Sequence, residues 1–463
     1  MIRLFRVVVP ASLLVLMAVE TGLAFGSYLL GFLLTREEDW AIFYLYEGGT
    51  AQTLAAVGSL LLGVYLNDLY SQVRVYSRLR LAQQYCLVFG VAFLAQGMIS
   101  YIVPELALAR SQMIAGSLIG LIALPSWRML FDVLVLRVLH RQRILFVGHN
   151  RLAQTVARTI AERPHFAMES VGYLSPQPLE EAPAGLGPWL GPVSGLKKAH
   201  AEQKPDRIVV GMDDRRGQLP VEDLLVLRLT GVPVEDVTTL YEHVMWRVPV
   251  EVLRPSQLIF GGGLGPDPRK LAMQRVYSFA FALAGAVLTL PLMALIWALV
   301  RLTSPGPAIY RQKRVGRNGR VFEVLKFRSM YQDAEARTGA VWAAHNDPRV
   351  TPLGRWLRKL RLDELPQFFN VLKGEMCIVG PRPERPEFVD VLSQKIPYYH
   401  LRHSIPPGIT GWAQINHKYG ETIEDVVTKL EYDLYYLKNM SFSLDLYILF
   451  HTAKVMLFQR GAQ

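Results

Sequence analysis

The chain reads as a membrane protein of mixed α and α/β class. It opens with an N-terminal four-helix transmembrane bundle, continues through a degenerate Rossmann-like α/β module, and ends in a mainly α-helical domain with a re-entrant membrane helix. Three observations predict this. Apolar residues make up 51% of the 463 and charged residues only 19%, with mean hydropathy +0.21, a balance that suits a chain keeping part of its length in lipid. Apolar runs near the ~20 residues needed to cross a bilayer recur between Arg-rich flanks. Between the fourth and fifth such runs, short β-type stretches alternate with amphipathic ones. The expected divisions are 1–126 for the bundle, 127–260 for the α/β module, 261–269 for a linker and 270–463 for the last domain.

The first run, Val7 to Leu34, is too long for a signal peptide, and no small-residue cleavage site precedes a polar start. It is read as a span, followed by Ala41 to Leu66, Leu81 to Val103 and Leu106 to Pro125. The loops "TREEDW" and "PE" are acidic, whereas Arg74, Arg78 and Arg80, and later Arg128, Arg137, Arg141 and Arg143, are basic. Positive loops stay in the cytoplasm, so both ends of the bundle are expected there.

Residues 276–300 form a fifth uncharged apolar run, yet both its flanks are basic: Lys270 and Arg275 before, Arg301, Arg311, Lys313, Arg314, Arg317 and Arg320 after. A helix over about 274–302 that enters and returns on the cytoplasmic face satisfies both flanks. Pro291 near the middle removes a backbone hydrogen bond and crowds the preceding turn, so the bend is placed there. A straight span with a tolerated kink is the alternative.

In the middle, "RILFVGHNRLAQTVARTIAERP" opens a βαβ pattern, with further strands at "SVGYLS" and "RIVVGM" and a helix at "VEDLLVLRLTG". Gly148 is followed by His149 and Asn150 rather than by a spaced glycine series, and the chain holds no Tyr-x-x-x-Lys pair. A nicotinamide-dependent dehydratase or epimerase is therefore disfavoured, and the module is read as regulatory or structural. The segment "GGGLGPDPRK" has linker composition.

The net charge of +11 needs a partner. Apolar segments flanked by Arg favour anionic lipid headgroups and phosphorylated substrates over nucleic acid. Cys86 and Cys377, the only two cysteines, make neither a disulfide framework nor a zinc pattern.

The candidate site is "RLDELPQFFNVLKGEMCIVGPRPERPEF", where Asp363 and Glu364 stand side by side. The bland reading is a solvated helix start with surface charge. Against it, residues 301–330 contain eight Lys or Arg and one acid, Glu323, and the clusters "GRWLRKLRLDELPQ" and "GPRPERP" bracket the pair. Fixed cations are expected to keep both carboxylates ionised, and an ionised Asp is a competent nucleophile. Transfer of a phosphoryl-linked group needs cations on the non-bridging oxygens and a positioned nucleophile. Arg382, held between Pro381 and Pro383, suits a phosphate contact.

Residues 270–463 resemble the catalytic domain of the bacterial monotopic phosphoglycosyl transferases, the polyprenyl-phosphate hexose-1-phosphate transferases. The whole chain is similar to the large members typified by undecaprenyl-phosphate galactose or glucose phosphotransferases. The resemblance rests on "SPGPAIYRQKRVG", "FEVLKFRSM", "NDPRVTPLGRWLRKLRLDELPQFFNVLKGEM", "IVGPRP" and "PGITGWAQIN", in family order. It implies Asp363 as nucleophile with Glu364 beside it and Arg382 as the phosphate ligand. It places the upstream basic residue at Arg358 and the Lys-Phe-basic motif at Lys326 and Arg328; Arg314, in the basic run after the fifth apolar segment, is a further candidate phosphate contact. Leu290 precedes Pro291 where many members carry Ser.

The implied reaction moves a sugar phosphate from a UDP-sugar to undecaprenyl phosphate, releasing UMP, as the first membrane step of exopolysaccharide, O-antigen or capsule assembly. Mg²⁺ is the implied cofactor, with Asp363 or Glu364 as ligand. The implied location is the bacterial inner membrane, in an anionic bilayer, with the catalytic domain on the cytoplasmic face. Two other classes compete: a non-catalytic scaffold of a polysaccharide assembly complex and a nucleotide-sugar dehydratase. The apolar C-terminal stretch from Asp433 reads as an interfacial helix. The sequence leaves open which sugar is used and whether the protein is a monomer or a homodimer.

Overall fold

The computed structural model describes residues 2–4, 7–9, 11–67, 69–70, 78–138, 141–163, 166–179, 184–215, 218–253, 267–332, 334, 348–417 and 422–457. Residues 261–266 of the expected linker, Arg74, and the opening Asn and Asp of the 346–376 motif lie outside them. The described chain is mostly helical and falls into two compact units, the first running essentially to Val237 and the second from Thr238.

In the first unit, four long helices, Ala11–Thr35, Gly49–Leu66, Arg78–Ile102 and Arg110–Val138, share one core built on Ala24, Tyr28, Leu60, Tyr85, Val88 and Leu124. Small residues let the backbones close up. A Cβ on Gly31 would lie 2.6 Å from the Gly116 nitrogen, and one on Gly63 would lie 2.8 Å from the Val88 oxygen. The outward faces are apolar as well, with Leu34, Leu94, Met98 and Ile122 exposed. The interior instead holds polar groups: Glu20 and Arg128 pair at 2.7 Å, and the Tyr85 hydroxyl donates to Glu20 at 3.0 Å. Apolar outside and paired polar inside is the arrangement a lipid solvent favours.

Several expected boundaries move: Val7–Val9 is a strand and the first helix starts at Ala11, and the last of the four starts at Arg110 rather than Leu106. The run Ala41 to Leu66 is broken into Trp40–Leu45 and Gly49–Leu66, and Gly48, at a left-handed φ of 80°, is the N-cap from which the second piece starts. Pro125 lies inside the Arg110–Val138 helix rather than at its end. One missing backbone donor is tolerated among packed apolar helices.

The α/β part of this unit is a four-stranded parallel sheet in the order Met168–Leu174, Gln142–Val147, Arg207–Val210, Val234–Asp236. Leu145, Val147, Leu174, Ile208 and Val210 fill its core. The turn after the first strand is closed by its own chain. Gly148 sits at φ 92° and a Cβ there would meet the Gly211 oxygen at 2.5 Å. Asn150 caps the Arg151–Glu162 helix by accepting from the Ala153 amide at 3.0 Å, and its Nδ2 donates to Asp213 at 3.0 Å. The helix N-terminus that would face a pyrophosphate is thus met by the chain's own side chains.

In the second unit the Pro268–Thr303 helix is continuous through Pro291. One stripe of it is buried, through Leu271, Gln274, Ser278, Ala282 and Ala286, then again through Met293, Ile296 and Val300. Between these two stretches Val287, Leu288, Leu290 and Leu292 are exposed. The Thr289 hydroxyl donates to the Gly285 carbonyl at 2.7 Å, a back-bond that bends helices. Near the start of the helix, Gln274 Nε2 donates to the Val379 carbonyl at 3.1 Å and lies 2.7 Å from the Tyr436 hydroxyl. That hydroxyl in turn donates to Asp445 at 2.6 Å.

After this helix come the antiparallel hairpin Ile309–Val315 and Val321–Phe327, a short parallel pair Cys377–Val379 and Gly408–Thr410, and the helices Ile423–Asn439 and Phe442–Leu457. Leu444, Asp445 and Ile448 of the last helix are buried inside the unit, while Phe450 is exposed. The unit also includes the chain just upstream. Lys438 pairs with Glu242 at 2.8 Å, Tyr241 donates to Glu431 at 3.2 Å, and Trp412 Nε1 donates to the Trp246 carbonyl at 3.1 Å.

Candidate active site

Asp363 and Glu364 occupy a single 3-10 turn, Leu362–Glu364. It follows the Pro352–Lys359 helix, whose N-cap Thr351 accepts from the Gly354 amide at 2.9 Å. Only glycine fits at 354, since a Cβ would stand 2.0 Å from the Ser329 oxygen. Arg361 turns the chain at φ 55°, so the next two residues leave the helix direction. On either side of the pair, Leu362 and Leu365 pack with Met293, Ile296, Val300 and Leu357. Phe368 abuts Gly285, where a Cβ would come within 2.8 Å of its ring. The dyad is therefore fixed against the long apolar helix.

Three elements bring cations to it. Lys326, from the hairpin's second strand, sets its Nζ 2.8 Å from Glu364 Oε1. Arg382, from the loop after Cys377–Val379, sets Nη2 3.0 Å from the same oxygen. Arg361 lies 3.9 Å from Oε2. Asp363 is buried too, yet its carboxylate makes no hydrogen bond or ion pair among the described residues. Arg358 stands near Asp363 while its Nε donates to the Ser329 hydroxyl at 2.9 Å.

The two carboxyls are consequently driven apart. Burial pushes the Asp363 pKa up, and the adjacent Glu364 charge adds to this against the pull of Lys326, Arg358 and Arg382. Burial acts in the same sense on Glu364, but Lys326 and Arg382 outweigh it and hold that carboxyl well below the usual range. The sequence suggested that the cations would serve both members of the pair. The structure directs them to Glu364.

Arg382 is itself held by a buried layer. Arg402 Nη2 donates to the Arg382 carbonyl at 3.0 Å and pairs with Asp433 at 2.8 Å, while its Nη1 donates to the Tyr399 hydroxyl at 2.7 Å. Arg314 donates to the Pro383 carbonyl at 3.0 Å and lies 3.5 Å from Glu384. Of the residues singled out from sequence, the structure gathers Asp363, Glu364, Lys326, Arg382 and Arg358. Arg314 stands one layer behind Arg382. Arg328 makes its contacts at the end of the Pro268–Thr303 helix, donating to the Ser304 carbonyl at 2.7 Å and the Ser304 hydroxyl at 2.8 Å. The first of these satisfies a carbonyl just past the helix end, where the last carbonyls lack a helical partner. Arg361, Arg402, Asp433 and Tyr399 were not singled out, and no local signal marks them.

No group of three or more His, Cys, Asp or Glu side chains with metal-binding geometry occurs among the described residues. The dyad still fits a magnesium ion at one point. Mg²⁺ is commonly held by one or two carboxylates plus substrate phosphates, and Asp363 keeps its oxygens uncommitted, whereas Glu364 Oε1 already meets two cations.

A family model described as bacterial sugar transferase matches residues 269–459. The chain is 43% identical over 235 residues to a UDP-N-acetylgalactosamine-undecaprenyl-phosphate N-acetylgalactosaminephosphotransferase of Aeromonas hydrophila, covering 51% of this chain and 55% of that protein. It is 37% identical to an undecaprenyl-phosphate glucose phosphotransferase of Komagataeibacter xylinus, over 59% of this chain and 52% of the relative. The match thus spans about half the length of these two relatives. A UDP-glucose:undecaprenyl-phosphate glucose-1-phosphate transferase of Xanthomonas campestris pv. campestris is 34% identical over 69% of this chain and 68% of its own length. These matches show that the chain belongs to the bacterial sugar transferase family.

Proposed function

We infer that the protein is a phosphoglycosyl transferase that moves a sugar-1-phosphate from a UDP-sugar to undecaprenyl phosphate through a covalent intermediate on Asp363. The observation that carries this reading is the division of labour within the dyad. Glu364 takes the cations, and Asp363, buried beside the apolar helix, keeps its carboxylate unpaired.

In the first step an Asp363 carboxylate oxygen bonds to the sugar-linked phosphorus. The bond from that phosphorus to the bridging oxygen breaks, and UMP departs with the electron pair. In the second step an oxygen of undecaprenyl phosphate bonds to the same phosphorus, the Asp363–phosphorus bond breaks, and the carboxylate is restored. The product is undecaprenyl diphosphate sugar, the opening lipid-linked intermediate of exopolysaccharide, O-antigen or capsule assembly.

Lys326 and Arg382 are placed to meet non-bridging phosphate oxygens, and Arg358 to steady charge at Asp363. Asp363 would hold Mg²⁺ together with donor phosphates, and the ion would supply charge neutralisation at the diphosphate. The relatives are named for different sugars, so their names do not fix the hexose used here.

The same reading places the enzyme in the bacterial inner membrane, with four spans ahead of a catalytic domain on the cytoplasmic face. The Pro268–Thr303 helix would dip in and return. Exposure of Val287 to Leu292 around Pro291, between two buried stretches, supports an apolar tip reaching beyond the domain into lipid.

The test is intact-protein mass spectrometry after exposure to UDP-sugars without acceptor lipid. The expected result is a sugar-phosphate mass on the peptide containing Asp363, absent in Asp363→Asn. Normal turnover by Asp363→Asn would end the covalent mechanism.

A further inference from the structure

Two buried polar side chains near the start of the Pro268–Thr303 helix reach the strand that leads to Arg382. Gln274 Nε2 donates to the Val379 carbonyl at 3.1 Å, and the Ser278 hydroxyl accepts from the Ile378 amide at 3.3 Å. The opposite edge of Cys377–Val379 pairs with Gly408–Thr410, so the helix supplies the pairing that a second neighbouring strand would give. Past Val379 the chain is short and stiff. The Gly380 amide donates to the Thr410 carbonyl at 2.9 Å, the Gly408 amide donates to the Pro381 carbonyl at 3.0 Å, and Pro381 and Pro383 fix φ on either side of Arg382. Arg402 holds the loop from its far side, at the Arg382 carbonyl; the strand holds it from the near side. The position of Val379 is thus passed on to the Arg382 guanidinium, 3.0 Å from Glu364.

Gln274 is oriented by what surrounds it. Its Nε2 also donates to the Tyr436 hydroxyl at 2.7 Å and to Asp445 at 3.1 Å, and a carbonyl and a carboxylate only accept. Its Oε1 is buried without a partner, which costs stability. Asp445, buried in the Phe442–Leu457 helix, is the hub. The Tyr436 hydroxyl donates to its Oδ1 at 2.6 Å, while the Tyr277 hydroxyl and Gln274 share Oδ2. Three donors converge on one carboxylate.

We propose that Asp445 is a positioning residue for the transfer reaction: by keeping the Gln274 amide turned toward Val379, it sets the strand that presents Arg382 to the donor phosphates. This rests on the reading of Arg382 as a phosphate contact. Asp445 acts through Gln274 and touches no reacting group.

The carboxylate is what the arrangement requires. In Asp445→Asn the amide offers one oxygen, and an N–H where all its neighbours donate, so one neighbour has to turn away. Gln274 has the least to lose, because its Oε1 is unpartnered. Turned over, it gives that oxygen the new N–H as a partner. The cluster then stays satisfied, and the Val379 carbonyl loses its donor.

The test measures UDP binding by the full-length protein in nanodiscs with Mg²⁺, by titration calorimetry below the melting temperature. UDP carries the donor's diphosphate without the sugar. Asp445→Asn should weaken UDP by about tenfold, as for loss of one charge-assisted hydrogen bond, with little change in melting temperature. Gln274→Met, close in shape and lacking the amide, should weaken it comparably and covers the case in which Asp445→Asn does not fold. In an Arg382→Lys background, itself weakened, Asp445→Asn should add less than about twofold, because the two residues act along one path. Wild-type affinity in Asp445→Asn or Gln274→Met would overturn the proposal. So would an equal loss with and without Arg382→Lys, the mark of general loosening. No UDP binding by the wild type, or affinity untouched by Arg382→Lys, would instead remove the phosphate role of Arg382, and this inference with it.

Discussion

Replacing each carboxylate of the dyad by its amide should move stability in opposite directions, because burial and charge act on the two in opposite senses. Glu364 has a folded pKa depressed below its ordinary 4.5. Its stabilising contribution is therefore in place above that value and is lost as pH falls toward the folded pKa. Glu364→Gln leaves Lys326 and Arg382 facing a neutral amide. Breaking a buried pair costs about 3–5 kcal/mol, and the lower end applies because the amide oxygen still accepts hydrogen bonds. For a unit of this size that is a fall of roughly 6–12 °C in melting temperature. Asp363 has a folded pKa raised above its ordinary 3.8, so its ionisation at neutral pH works against folding. Asp363→Asn removes that charge and should melt at or slightly above the wild-type temperature at pH 7.5, while turnover is lost. The advantage should shrink toward pH 4, where the wild-type carboxyl regains its proton. Thermal melts of the full-length protein followed by tryptophan fluorescence across pH give both curves. Equal destabilisation by the two amides would refute the assignment of the cations to Glu364.

Arg402→Lys loses the fork that joins the Arg382 carbonyl, Asp433 and Tyr399. Initial-rate kinetics should show the donor KM rising by about tenfold with a smaller change in kcat, as for loss of ground-state and transition-state binding alike. A fragment starting at Arg269 lacks Glu242, Tyr241 and Trp246, so it should melt below one starting at Thr238, measured in the same detergent. Single cysteines placed at Lys270 and Arg317 should react with a membrane-impermeant reagent from the same face of the membrane; labelling from opposite faces would exclude a re-entrant Pro268–Thr303 helix.

What could be read from the sequence was local. Long apolar runs, the alternation at Arg143 and the contiguity of Asp363 with Glu364 each depend on a few tens of residues at most, and each corresponds to an element in place. Features set by tertiary reach were not legible. Lys326 lies 38 positions before Glu364 and Arg382 lies 18 after it, and composition alone cannot say which carboxylate two long side chains will choose. Arg402 and Asp433, 31 positions apart, carry no spacing that marks a buried pair. Arg328 stood in a basic motif with Lys326, yet strand geometry sends neighbours two apart along one face while their long side chains diverge. Lys326 ends at the dyad and Arg328 at the helix carbonyls. The apolar region shows the same limit: hydropathy averages across the break between Leu45 and Gly49, where Gly48 takes a left-handed backbone.

The unequal pairing also bears on why two adjacent acids serve better than one. In the proposed reaction an anionic donor carries two phosphates into the site, and Lys326 and Arg382 must be in position before it arrives. Without a counter-charge, two partly buried cations would repel each other and lose hydration. Glu364 supplies that counter-charge, keeping both within 3.0 Å of one oxygen. If the cations paired with Asp363 instead, the attacking oxygens would be tied up in strong charge-assisted hydrogen bonds that attack would have to break. A contiguous second carboxylate, turned by the same 3-10 segment, gathers the cations near the phosphorus while leaving the first free. On the proposed reading the apolar helix beside Leu362 and Leu365 completes the arrangement, because it would set this charged turn at the depth where a lipid-borne phosphate and a soluble nucleotide can both reach it.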